Sequence, residues 1–453
     1  MIALLVILVA APVVQWETRY DGPGSREDTP SAMVADSSGS AWVAGYSYVP
    51  GSDFQFTVAG FSPSGELRWV NRYGSPLGSE DRAWAIARDS AGCLVATGGT
   101  LADLSVGWDF LTAKYTPDGD TLWLRRLDLA WHADDKPAAV AIAPGDCPVI
   151  AGAAHRPAPR ADWDIAVVKY SPGGDTLWAR YWDGAASADD FSASLAVGGG
   201  AIYVAGKTVT ARPATDIVLL KFTLDGTLAW SRTIDGPAGS TDFAAQVAYR
   251  AGRIYVGGTV TGSGTAYDWC VAAFDTAGRR LWTHLWDGEG RGDILESFCF
   301  DSSGSVIAVG QSAGASTGVD AAVLKLDSAG RRLWSRRYNG ERNSSDRAWR
   351  VAAGKNNDIT VAANSVGSGG FPELVLLGFS SSGDTLWSWR RADPATGEAR
   401  PVGLALLPAR GTERAFSELL CTSFAFSEAA GFDWLLLRLD PAGSTSDTDP
   451  QRR

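Results

Sequence analysis

The chain has three histidines. Two of them, His132 and His155, fall in loops that flank one stretch of chain, with Asp134, Asp135 and Asp162 close by in sequence. Imidazole beside carboxylates can hold a divalent metal or exchange protons in acid–base catalysis. Neither His132 nor His155 has the helical or tight ligand spacing that a metal site shows in sequence, so both are read as exposed loop histidines and no metal is expected. His284, in an outer strand, is read as structural. No Ser-His-Asp order, HExxH, phosphate loop or paired-cysteine motif occurs, so no catalytic residue and no cofactor is assigned.

Two further sets of chemically capable residues are periodic. Lys114, Lys169, Lys221 and Lys325, four of only seven lysines, occupy one repeat position near the end of a strand, and Arg438 occupies it again. Asp28, Asp81, Asp135, Asp190, Asp242, Asp293 and Asp346 occupy another, in the loop that enters a strand. Seven regular carboxylates suit a cap on loop backbone N–H groups, in places with help from a nearby cation. A cation-binding acidic ring is the alternative.

The elements that position these residues follow from the tryptophans. Trp16, Trp69, Trp123, Trp178, Trp230, Trp282, Trp334 and Trp387 recur at intervals of 52–55 residues, and all but Trp16 have a glycine four positions earlier, from Gly65 to Gly383. This is an internal repeat. Its fullest copies, DFLTAKYTPDGDTLWLRR and DIAVVKYSPGGDTLWARYWDG, place apolar runs too short for helices around turn residues. Each period reads as four strands of about six residues, A to D from the centre outward, which is one β-propeller blade. A strands begin near Ser31, Ala83, Ala138, Phe191, Phe243, Leu295, Ala348 and Pro401. An acidic residue precedes each C strand: Asp53, Asp109, Asp164, Asp216, Asp268, Asp320, Glu373 and Asp433.

The last copy stops after its C strand, and the first consists only of the missing D strand around Trp16. The expected fold is therefore all-β, a single eight-bladed β-propeller of four-stranded antiparallel blades over residues 15–443, its ring closed by the N-terminal strand. Closure removes the exposed sheet edges that invite aggregation.

The spacing of Ala, Gly and Trp in AKYTPDGDTLW (Ala113 to Trp123) resembles the tryptophan-docking motif of quinoprotein-like eight-bladed propellers. The whole period is similar to the SBBP-type β-propeller repeat of secreted bacterial proteins. The resemblance covers nearly the whole chain and implies a docking role for the eight repeat tryptophans. Quinoprotein kinship would also imply a pyrroloquinoline quinone dehydrogenase with a vicinal disulfide, a calcium site and a catalytic carboxylate. The sequence departs from that pattern, because Cys93, Cys147, Cys270, Cys299 and Cys421 are far apart. They are read as buried thiols.

A net charge of −11 argues against a nucleic-acid partner. Residues 2–14, an apolar run of 13, fall short of the about 20 residues a membrane-crossing helix needs. Residues 1–14 are read as an export signal, with an N-terminal buried strand as the alternative. A secreted, periplasmic or cell-envelope location follows, with no membrane span, and residues 444–453 are read as a disordered polar tail. The B–C and D–A loops share one face and are longer and more variable than the others. Trp108, Trp131, His132, His155, Arg156 and Trp163 lie there and are the candidate binding residues. The functional expectation is a monomeric, non-catalytic binding or scaffold protein for a protein or glycan partner. The alternative is a propeller hydrolase, lyase or degenerate quinoprotein-like enzyme with its site at the mouth of the central channel.

Overall fold

In each repeat the apolar runs meet glycine-containing turns too soon for a helix, so hairpins form and stack into a meander. The computed structural model describes residues 12–441 apart from 25, 77, 79, 104–106, 130, 211–213, 265, 392–398, 408–417 and 428–430. Thirty-two strands of 7 to 10 residues make eight four-stranded antiparallel sheets, with no helix among the described residues. Accordingly, no described helix is long and apolar enough to cross a membrane.

Blades 1 to 7 span Asp28–Tyr73, Asp81–Leu127, Asp135–Trp182, Asp190–Ile234, Phe243–Trp286, Asp293–Tyr338 and Asp346–Arg391. Blade 8 joins strands A to C, between Arg400 and Asp440, to the strand Val13–Tyr20. That strand pairs antiparallel with Gly431–Asp440, from Val13 opposite Asp440 to Tyr20 opposite Trp434. Val13 and Val14, the last two residues of the apolar segment 1–14, thus belong to the propeller sheet. Residues 1–11 and the tail 444–453 lie outside the described residues.

Every A strand touches the A strands of both neighbours, and Arg400–Leu406 touches Asp28–Ala35, so the A strands form the inner ring. The core lies between blades. Tyr203 and Leu219 of blade 4, for instance, pack with Val256 and Phe274 of blade 5. B and C strands are buried on both faces and read as continuous apolar runs, whereas the outer D strands keep exposed residues such as Leu122, Leu177 and Leu333. Each A strand carries a β-bulge at the same place, from Pro30/Ala32 in blade 1 to Pro401/Gly403 in blade 8.

The repeat tryptophans join neighbouring blades. A Cβ on Gly65 would lie 2.6 Å from the Trp16 ring, and one on Gly119 would lie 2.6 Å from Trp69; both glycines also have positive φ, +84° and +99°. Only glycine satisfies both demands. The glycine four residues before each tryptophan therefore serves the tryptophan of the preceding blade. The indole N–H donates into the same turn: Trp16 to the Pro63 carbonyl and Trp123 to that of Pro172, both at 2.9 Å. Trp387 is buried against Leu435 and Leu437 of blade 8.

Candidate functional site

Antiparallel strands send every B–C loop and D–A connection to one face, and the six candidate residues lie there. On blade 3, the Trp131 ring sits 4.7 Å from Tyr181, and the Arg156 guanidinium lies 4.5 Å above Trp131. Arg156 also donates through Nε to Asp164 at 2.6 Å. Trp163 packs against His155 at 5.0 Å and Phe191 at 5.4 Å, with the Lys136 ammonium 4.9 Å over its ring. Lys207 in turn covers Phe191 at 5.0 Å. Cations over desolvated rings are held by the ring quadrupole. The result is two separate aromatic–cation clusters on opposite faces of blade 3, Tyr181–Trp131–Arg156 and Lys136–Trp163–Phe191–Lys207, the second reaching blade 4.

The structure thus pairs Trp131 with Arg156 and His155 with Trp163, on opposite faces of blade 3, and leaves two candidates apart. Trp108 pairs with Trp84 on blade 2 at 5.8 Å, its backbone N–H donating to Asp134. His132 is exposed, with φ +48°, and its Nδ1 lies 2.6 Å from Asp128, whose carboxylate raises the imidazole pKa. His132 and His155 do not converge. The contributions of Lys136, Tyr181, Phe191 and Lys207 were not legible in sequence, because they arise from strand ends on two blades.

The same rim carries a periodic electrostatic pattern. The ring of aspartates caps the D–A connections as expected: Asp28 accepts from Gly22 N–H, Asp190 from Gly184 and Asp346 from Gly340, each at 2.6 Å. The repeat lysines do not reach them, since they stand at the other end of strand C. Among the described residues, ligand atoms of three carboxylates come within 4.8 Å of one another at five blade junctions: Asp21/Asp28/Asp433, Asp109/Asp128/Asp135, Asp162/Asp164/Asp183, Asp216/Asp235/Asp242 and Asp268/Asp287/Asp293. Such a cluster relieves its repulsion by holding a proton or a cation. Burial, aided by Asp109, Asp128 and Asp134, pushes Asp135 up to about 8, and burial raises Asp28 and Asp190 to about 6. Outer-strand arginines offset the C-strand carboxylates in several blades, as in Arg126–Asp109, Arg337–Asp320 and Arg390–Glu373. Asp53 is not the blade 1 member of this series. Gln55 pairs with Ser47, the place that Asp109 takes opposite Thr100.

No family model matches the sequence, and no curated protein matches it. Solved structures with a similar chain course include a polysaccharide lyase, a PL25 ulvan lyase, at 12% identity and TM-score 0.47, covering 92% of this chain and 95% of that one. The WD40 domain of SCAP from fission yeast is similar at 7% identity and TM-score 0.45, covering 93% and 98%. Drosophila Plexin A in complex with Semaphorin 1b is similar at 8% identity and TM-score 0.44, covering 95% and 88%.

A second group on the inner ring was missed in sequence. Arg400 stacks 4.0 Å over Trp349, and Arg350 donates to the carbonyls of Val402 and Trp349, both at 2.9 Å. Burial raises the Glu296 carboxyl, while Arg400, Arg350 and Arg347 oppose the rise. Repeat alignment could have exposed this group, because Arg350 follows the bulge where blades 1 to 3 have Ala32, Ala85 and Ala139. All five cysteines are free; Cys270 and Cys421 are buried, whereas Cys93, Cys147 and Cys299 are only half-buried.

Proposed function

We propose that the protein is an exported, monomeric, non-catalytic scaffold whose variable-loop rim on blades 3 and 4 docks a protein partner. The observation that carries this reading is the pair of aromatic–cation clusters on that rim, Tyr181–Trp131–Arg156 and Lys136–Trp163–Phe191–Lys207. Aromatic residues and arginine concentrate where protein interfaces take their binding energy. Sugar stacking needs an open ring face, and here a cation covers Trp131, Trp163 and Phe191. That occupancy favours a protein over a glycan. The apolar run 2–14 supports export to the periplasm, envelope or exterior, and the repeat with its docking tryptophans supports an SBBP-type, quinoprotein-like propeller.

The experiment is site-specific photo-crosslinking in the producing cell, from a reactive residue at position 157 beside the Arg156–Trp131 contact and another at position 382 on the opposite rim. A protein captured from 157 only, and lost in Arg156→Ala, supports the reading. Glycan binding that Trp131→Ala abolishes, without protein capture, overturns it. A propeller enzyme at the inner ring is the second reading, favoured by a half-buried Glu296 carboxyl under the electrostatic influence of Arg400, Arg350 and Arg347. Turnover that Glu296→Gln abolishes would establish it in place of the scaffold.

A further inference from the structure

On the rim opposite the variable loops, blade 5 reverses a charge that its siblings keep. In blades 1, 2 and 6 the A–B turn opens on an aspartate, Asp36, Asp89 or Asp301, whose Oδ1 accepts from the backbone N–H of Ser40, Cys93 or Ser305 at 3.0, 2.7 and 2.9 Å. Blade 5 has Arg250 in that register place, as far past the bulge residue Gln246 as Asp36 is past Ala32 and Asp301 past Ser297. Its strands join through only two residues, Ala251 and Gly252, both with positive φ, +48° and +78°, as a two-residue hairpin turn requires.

The residue opposite Arg250 is a second arginine, Arg253. Residues directly opposite in an antiparallel pair project from the same side of the sheet, and like charges there repel. Both guanidiniums turn to blade 6. Arg250 lies 5.2 Å over Phe300 and makes a long contact of 3.3 Å to the Ser302 carbonyl, and Arg253 donates to the Ser328 carbonyl at 2.8 Å. The Ser328 bond, shared with Trp282, gives Arg253 a structural task, whereas Arg250 has nothing of comparable quality.

Between this arginine pair and the turns of blade 6 lies a cavity of about 340 Å³, lined by Arg250, Arg253, Tyr255, Ser303, Gly304 and Ser328 together with Ala251. None of these residues is acidic. The carboxylate of the blade 6 turn, Asp301, is taken up by Lys325 at 2.9 Å and by Ser303 and Ser305 at 2.6 and 2.9 Å. Among the described residues, neither Arg250 nor Arg253 forms an ion pair, and each uses one of its five N–H groups on the protein. A chain of net charge −11 thus holds two facing cations with their forks unfilled.

We propose that this cavity binds a tetrahedral dianion, free phosphate or sulfate or the phosphate group of a monoester, with the guanidiniums of Arg250 and Arg253 as its paired donors. Two like charges held together call for two opposite ones, and guanidinium forks match the spacing of oxyanion oxygens. Binding at a site open to solvent is weakened by salt.

The test titrates the full chain at pH 8, where phosphate and its monoesters are dianions, with sodium phosphate, sodium sulfate, phenyl phosphate and, as the monoanion control, sodium acetate. Sodium chloride holds the ionic strength constant and low. The readout is the backbone N–H NMR signals of Ala251 and Gly252. Saturable shifts with a dianion, and none with acetate, are expected. Arg250→Gln should weaken dianion binding by roughly tenfold or more, the loss of one charge-assisted contact, with the tryptophan indole signals unmoved as proof of an intact fold. Arg68→Gln, which removes a cation from the same rim on blade 1, should leave binding unchanged. Equal binding of phosphate and phenyl phosphate assigns the site to the free ion as well, whereas binding of phenyl phosphate alone assigns it to a phosphate carried on a larger ligand. Absence of saturable shifts with every dianion, equal shifts with acetate, or undiminished binding to Arg250→Gln overturns the proposal.

Discussion

Lys169 and Trp178 donate to the same oxygen, the Leu224 carbonyl in the following blade, at 2.8 and 3.2 Å. Lys221 and Trp230 converge likewise on Thr276, Lys325 and Trp334 on Ser381, and Arg438 and Trp16 on Pro63. Blade 5 has Ala273 at the lysine position, and there Arg253, the first residue of its B strand, joins Trp282 on the Ser328 carbonyl. The repeat maintains two donors on one carbonyl even as the donor's identity changes. A carbonyl oxygen has two lone pairs, and this one faces two donors across every junction just named.

Lys169→Met keeps the alkyl stem and removes the charged donor. A lost hydrogen bond to a charged group predicts a destabilisation of about 1.5–3 kcal/mol, read as a lower denaturant midpoint at unchanged m-value. An unchanged midpoint would show that the shared carbonyl is a coincidence of geometry and not a fastening.

The Lys325–Asp301 pair is almost wholly inaccessible, with side-chain exposures of 5% and 2%. Removing one partner leaves a buried charge, so Lys325→Met and Asp301→Asn should each cost about 3–5 kcal/mol, while the double variant should cost clearly less than their sum. Additive losses in the double-mutant cycle would mean that the two groups do not act on each other.

Burial pushes the thiols of Cys270 and Cys421 up to about 12. Because the thiolate is the nucleophile, these two buried thiols should resist alkylation near neutral pH until the propeller unfolds. Mass spectrometry after brief iodoacetamide treatment checks this. Modification of Cys421 at the rate of a small-molecule thiol would refute it.

The blades were legible because one covalent period repeats the same apolar, turn and tryptophan signals, and the single strand around Trp16 disclosed the closure. The site was legible only in part. Arg156, Trp131 and Trp163 could be singled out as rim residues, but Tyr181 joins Trp131, and Phe191 joins Trp163, through stacking that sequence spacing does not encode. The partners of the repeat lysines escaped for the same reason. Lys169 meets Leu224, 55 residues away in the next blade, and only the stacking of blades makes that contact local.

The carboxylate clusters give the fold an unusual pH dependence, with its sign set by Asp135. Its pKa rises from the ordinary 3.8 to about 8 on folding, through burial and then the neighbouring Asp109, Asp128 and Asp134. Between these values the folded chain binds a proton that the unfolded chain has released, so stability is greatest on the acid side and is lost as pH rises towards 8. Asp28 and Asp190, raised to about 6, add to the loss between about 4 and 6. Asp301 is held below its ordinary value, since hydrogen bonds from Ser303, Lys325 and Ser305 outweigh its burial; its contribution is lost when pH falls below the usual carboxylate range. The midpoint temperature should therefore climb as pH is lowered from 8 towards 5 and then fall below about 4. Asp135→Asn, which cannot ionise, should flatten the upper part of that slope, and differential scanning calorimetry of both proteins at matched ionic strength measures it. A midpoint that rises with pH over this window, or a slope that survives in Asp135→Asn, would show that the cluster around Asp109, Asp128 and Asp135 does not hold its proton.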